Sequence, residues 1–167
     1  LAYNLMLYSG LKGDRYLYYS IYLFSFLLLN FSYTGHGFKW LWPDWPGWAL
    51  WSHPVLMVLF SICGFIFATR FLDTKKYFPR LHRAVIGGCV GFAAIGVFAV
   101  VVGSQLWALL LAFSLMASFS LVMVFLGSIS LYAGNKSAKY FLIASVAAAI
   151  SASITTVTVW GLIPYSL

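Results

Sequence analysis

Long apolar runs broken by short polar stretches dominate the chain, and within each run the apolar residues are continuous instead of alternating. A helix crossing about 30 Å of hydrocarbon needs roughly 20 mostly apolar residues, because each residue rises about 1.5 Å. Residues 16–33, 53–69, 84–102, 106–132 and 140–162 read as such spans, and residues 1–9 read as the tail end of another. Between them lie a polar turn at 10–15, a Gly/Pro/Trp-rich loop at 34–52 and the charged segment 70–83. A tight turn at Gly103-Ser104-Gln105 and a polar loop at 133–139 follow, and Gly161 and Pro164 are the stop signals of the last span. A transmembrane β-barrel would show segments of about 10 residues alternating in polarity, which these runs do not. Short turns make consecutive helices antiparallel neighbours, so the predicted fold is all-α: one polytopic transmembrane helix bundle over residues 1–167, with six spans visible and the first incomplete.

Composition removes the soluble alternative. Hydrophobic residues make up 63% of the chain and charged residues 8%, with a mean hydropathy of +0.93, far from the balance of a globular domain in water. The net charge of +7 does not point to nucleic acid, since the basic residues form short clusters between apolar runs and line no polar face. They report orientation instead. Lys12, Arg15, Arg70, Lys75, Lys76, Arg80, Arg83, Lys136 and Lys139 fall on one side of the predicted bundle, and Lys39 alone falls on the other. By the positive-inside rule the first side is cytoplasmic and the tryptophan loop faces outward. The two cysteines, Cys63 and Cys89, lie in apolar runs without metal-ligand spacing and read as small packing residues. The chain opens at Leu1 without methionine, which leads us to expect a piece of a longer protein.

Candidate chemistry is sparse. The acids Asp14, Asp44 and Asp73 all sit in loops or at helix ends, and the intramembrane polar residues are neutral: Asn4, Asn30 and hydroxyls such as Ser145, Ser151, Ser153, Thr155 and Thr156. Hydrogen bonds between helices or back to carbonyls account for these. The outward loop packs Trp40, Trp42, Trp45, Trp48 and Trp51 among glycines and prolines. An aromatic belt at the headgroup level is the plainer reading; the sharper one is a surface docking a ligand or outward domain, with Trp40, Trp42, Pro43, Trp45 and Trp48 as its residues. His36, Asp44 and His53 match no metal-site spacing, so no metal is expected.

At the basic end, Arg70 and Asp73 stand three residues apart and can pair, with Pro79 read as a stop to further helix. Lipid-phosphate contact is the plain reading of that segment; docking of a cytoplasmic partner is the other. Gly87 and Gly91 form a GxxxG spacing that permits close helix packing, or pairing of two copies of the chain. No nucleophile–base, phosphate-loop or paired-carboxylate motif is present in the sequence, so neither enzymatic activity nor a cofactor is expected.

Several motifs together resemble the bacterial seven-transmembrane receptors with diverse intracellular signalling modules. They are Ala2-Tyr3-Asn4-Leu5, the turn Asp14-Arg15-Tyr16-Leu17-Tyr18-Tyr19, Gly35-x-Gly37-Phe38 with Leu41-Trp42-Pro43, and Arg70-Phe71-Leu72-Asp73 followed by Pro79-Arg80-Leu81. They cover the first half; the second half matches in helix count and loop length. The resemblance implies a bacterial inner-membrane receptor that links an outward sensor domain to a cytoplasmic output domain, neither of them within these residues. It also implies a register running from late in the first helix to the end of the sixth, with the seventh beyond. Asp14, Arg15, Arg70, Asp73 and Arg80 are then the candidates for cytoplasmic coupling.

The sequence thus reads as a membrane receptor and signal-transduction module whose partners are the lipid bilayer, a sensor domain and an output domain, with no nucleic acid among them. The rival readings are a subunit of a small-solute transporter or channel, disfavoured by the lack of intramembrane charge, and a membrane-integral enzyme.

Overall fold

In the computed structural model, residues 2–11, 14–135 and 137–159 are described. Leu1, Lys12, Lys136, Gly161, Leu162 and Pro164 lie outside the described residues, as do the side chains of Arg15, Ser153, Thr155 and Thr156. The described residues form helices and no strand: α1 (Ala2–Leu11), α2 (Asp14–Tyr33), α3 (His36–Trp40), α4 (Pro46–Phe71), α5 (Thr74–Tyr77), α6 (Pro79–Val102), α7 (Gln105–Tyr132) and α8 (Ala138–Val159). The all-α expectation holds: predicted spans 16–33, 53–69, 84–102 and 106–132 lie within helices, as do the described parts of the other two, residues 2–9 and 140–159.

Three of these helices, α4, α6 and α7, are long and apolar enough to cross a membrane. α2 has the length, 20 residues, which spans about 30 Å, but its tyrosines, serines, Asp14 and Arg15 dilute its apolar character. α8 contributes a shorter apolar stretch, Ala138–Ser151.

Helix ends depart from the predicted boundaries where proline intervenes. α4 begins at Pro46, inside what the sequence reading gave as loop, and α6 begins at Pro79. Pro79 therefore starts α6 at the point where α5, ending at Tyr77, stops. At the first helical position a missing N–H costs nothing and the ring's φ is already helical, while Trp45 and Phe78 before the two prolines are pushed out of the helical region. Glycine makes the stops. Gly103 (φ 72) and Gly134 (φ 83) lie in the left-handed region, and each closes its helix with a pair of backbone bonds, Ser104 N–H to Ala99 and Gly103 N–H to Val100, then Asn135 N–H to Ser130 and Gly134 N–H to Leu131.

The chain resolves into two compact units, Leu1–Ala117 and Ser118–Leu167, divided within α7. In the first, α2 and α4 form the most extensive helix pair. Their seam is aromatic: Tyr19 and Tyr22 meet Phe67 at 5.3 and 5.6 Å between ring centroids, and Tyr22 and Phe26 meet Phe60 at 5.1 and 5.7 Å. Such pairs contribute about 0.5–1.5 kcal/mol each beyond area burial. Ser32 and Ser52 hydroxyls, 3.0 Å apart, extend the seam toward the tryptophan end. α4 is the central helix and buries Leu56, Met57, Phe60, Phe65 and Ala68. α7 joins it through the Met116 sulfur, 3.4 Å from the Ser61 hydroxyl, and through Gln105, whose amide reaches the Leu50 carbonyl at 3.4 Å. α6 buries only Cys89 and Ala99 among its described residues, and exposes Val90, Val97, Phe98 and Val101. That surface suits hydrocarbon and not water.

In the second unit, the later half of α7 and α8 meet at Gly127: a Cβ built there would lie 3.3 Å from the Leu142 Cα. Leu126, Ser130, Ala138 and Phe141 are buried around that approach. Several polar side chains inside the helices bond locally, while the buried Ser20 hydroxyl has no hydrogen-bond partner among the described residues. Asn30 and Ser145 donate to the carbonyls four residues earlier, at 3.0 and 2.8 Å, as the sequence reading anticipated.

Candidate functional site

Two ends of the first unit carry the candidate residues, and the α2–α4 seam runs between them. At the tryptophan end, Gly35 (φ 77) turns the chain out of α2, α3 forms, and the segment folds back through Leu41 and Trp42 N–H groups that donate to the Gly37 carbonyl at 2.9 and 3.2 Å. Trp42 is the organising side chain. A Cβ on Gly37 would sit 2.6 Å from the indole Cζ2 of Trp42, so only glycine lets that ring lie against the backbone. The same indole meets Trp48 edge-on at 6.3 Å, and Trp42 is half-buried.

The other predicted docking residues are arranged differently. Trp45 caps the start of α4 and, like Trp40, is about two-thirds exposed, at 70% and 68% respectively. Pro43 is exposed as well. Lys39 Nζ lies 5.8 Å from the Trp40 ring centroid, a cation over an indole face. His36 and His53 go separate ways: His36 Nδ1 is 3.0 Å from the Thr34 hydroxyl, and the His53 ring packs 5.6 Å from Tyr33. Among the described residues no group of three His, Cys, Asp or Glu side chains gathers where a metal would bind.

At the opposite end, the chain leaves α4 through Asp73, the one non-glycine residue of positive φ (49) among the described residues. An aspartate tolerates this region better than most side chains. The turn lacks the full pair of backbone closing bonds that α6 and α7 use, and a side chain makes up the difference: the Thr74 hydroxyl reaches the Thr69 carbonyl at 3.2 Å. The same hydroxyl is 3.1 Å from His82 Nδ1 on α6, so Thr74, buried to 1% exposure, ties α4, α5 and α6 together.

Around this tie opens a cavity of about 440 Å³ lined by Thr69, Arg70, Asp73, Lys75, Lys76 and His82. Arg70 lies with its guanidinium carbon 5.3 Å from the Tyr18 ring centroid of α2, which connects the cavity to the aromatic seam. Of the predicted coupling residues, the structure brings Arg70 and Asp73 to one site. Asp14 opens α2 and is exposed; Arg80, on the first turn of α6, is exposed and does not line the cavity. Lys75, Lys76, Thr69 and His82 complete the site without having been singled out for it. The density of basic residues in 70–83 was the available signal for the lysines; the histidine carried none.

Gly87 and Gly91 have open space where a Cβ would stand, with no atom within 4 Å. Within the described chain no helix uses the GxxxG face, whereas Gly127, isolated in sequence, makes the close approach.

A family model described as 7TM diverse intracellular signalling matches residues 1–167. No curated protein matches the chain, and no solved structure does.

Proposed function

Because the chain belongs to the 7TM diverse intracellular signalling family, we propose that it is the receptor module of an integral membrane protein, passing a signal from the tryptophan end to the basic end and on to an output domain outside these residues. The basic end is cytoplasmic on this reading, from the nine-to-one distribution of lysine and arginine, and the membrane is the bacterial inner membrane. The module works by helix rearrangement and carries out no reaction of its own.

The observation that carries the proposal is the continuity of the α2–α4 seam. Tyr33–His53 and Ser32–Ser52 engage it beside the tryptophan loop, the tyrosine and phenylalanine rings occupy its middle, and Tyr18–Arg70 joins it to the basic cavity. A displacement of α2 against α4 at one end therefore has packed side chains through which to reach the other, and shifts of about 1–2 Å at such interfaces suffice in known switches.

The test is a cross-link. With Cys63 and Cys89 replaced by alanine, Ser32→Cys and Ser52→Cys place two thiols where the hydroxyls now touch. Oxidation should fix the output of a reporter driven by the full-length protein at one level, and reduction should release it. A reporter that responds unchanged while the pair is fully oxidised refutes the relay.

A further inference from the structure

The cavity at the basic end is built more carefully than a stretch of solvated charge. All six of its lining residues are polar or charged, with three permanent cations, Arg70, Lys75 and Lys76, against the single carboxylate of Asp73. The cations come from two elements, α4 and α5, and α6 contributes His82. Stacking on Tyr18 holds the face of the Arg70 guanidinium, and a guanidinium held by its face keeps its N–H edge for an oxyanion.

His82 is oriented by a similar constraint. The Thr74 hydroxyl has one proton and two polar neighbours. The Thr69 carbonyl can only accept, so with both bonds made Thr74 gives its proton there and accepts from His82 Nδ1–H. The imidazole is thereby anchored at Nδ1, with Nε2 as its remaining polar atom.

From these features we infer that the cavity binds a phosphate group. Its lining meets the needs of a tetrahedral oxyanion: a guanidinium whose face lies on Tyr18, two lysine ammonium groups, an imidazole anchored on Thr74 and a volume of about 440 Å³, which falls within the range of small-ligand sites. Its position favours the phosphate of an anionic lipid. Thr69 follows directly on Ala68, the last buried apolar residue of α4, so the site lies where apolar helix gives way to charge, the level of the headgroups. Free phosphate presents the same chemistry, and the two sources separate by experiment. The inference takes from the receptor reading only the membrane setting; binding is measured without any signalling output, so either can fail alone.

The experiment follows thermal unfolding of the full chain. In neutral detergent, inorganic phosphate is compared with chloride at matched ionic strength; in nanodiscs, phosphatidylcholine alone is compared with phosphatidylcholine containing phosphatidylglycerol. Phosphatidylglycerol should raise the midpoint by several degrees, and Lys75→Gln with Lys76→Gln, at exposed positions, should abolish most of that rise while leaving the midpoint in phosphatidylcholine unchanged. His82→Gln, at a less exposed position, should reduce it. Arg83→Gln, which removes a nearby charge outside the lining, should keep it. A rise with inorganic phosphate as well identifies a site open to free anions; a rise with the lipid alone identifies a headgroup site. The inference is overturned if neither probe raises the midpoint, or if Arg83→Gln loses as much as the double variant, which would reduce the effect to diffuse surface attraction.

Discussion

The side-chain amide of Gln105 donates to the main-chain carbonyl of Leu50 at 3.4 Å, and the reason lies four residues along α4, at Pro54. Proline has no N–H, so Leu50 loses the donor that every other interior carbonyl of the helix receives. Leu50 is exposed at the tryptophan end of α4, and the Gln105 side chain from the neighbouring α7 supplies the donor that the proline withdraws.

Gln105→Leu should therefore destabilise the protein in detergent modestly, by about 0.5 kcal/mol, the lower end of the net contribution of a hydrogen bond, since this one is long and exposed. On a Pro54→Ala background, where the helix recovers its own donor, the same substitution should cost much less. Equal losses on both backgrounds, read as unfolding midpoints, would mean that the contact does not serve the proline.

The glycines give a contrast. Gly127→Leu drives a side chain into the Leu142 backbone and should cost about 1–3 kcal/mol, as overpacking typically does. Gly91→Leu enters open space in the single chain and should cost far less. If Gly91→Leu proves as damaging in a detergent-solubilised monomer, the α6 surface is covered by something the chain itself provides.

How far the sequence foretold this can be judged from those same glycines. Spans were legible because hydrocarbon thickness imposes a run length on any crossing helix, and α6 and α7 show it plainly. Their ends were less legible: hydropathy marks where lipid stops, whereas α4 continues as helix through Trp48 and Trp51 back to Pro46. The GxxxG spacing drew notice to Gly87 and Gly91, yet closeness of approach depends on the facing helix, which spacing within one segment does not encode. The Arg70–Asp73 neighbourhood was visible as charge; the Thr74 tie that shapes it was not, because it depends on a turn conformation and on a histidine from the following helix.

In the tryptophan loop, Gly37→Val should reproduce the effect of Trp42→Ala, since each removes the same ring-on-backbone contact, and the double variant should be little worse than either. Trp45→Ala, at a largely exposed ring, should be nearly silent. The readout is unfolding midpoint beside reporter output at matched expression. Additive losses for Gly37→Val and Trp42→Ala would show that the two residues act independently.

Orientation is checked by labelling. In a background without Cys63 and Cys89, a cysteine replacing Gly47 should react with a membrane-impermeant thiol reagent on intact cells, and one replacing Ser137 should react only after permeabilisation. The opposite pattern would invert the assignment of the basic end.

The stacked rings between α2 and α4 also set the grain of any motion there. Tyr22 lies nearly parallel to Phe67, with 8° between planes, and at 25° to Phe60, so it is held between two faces on the opposite helix. A small slide of α2 must lift that ring from one face before another can receive it, and the states between are poorly packed. Any movement along such a seam would therefore pass through discrete packed positions, like a ratchet, and not slide smoothly.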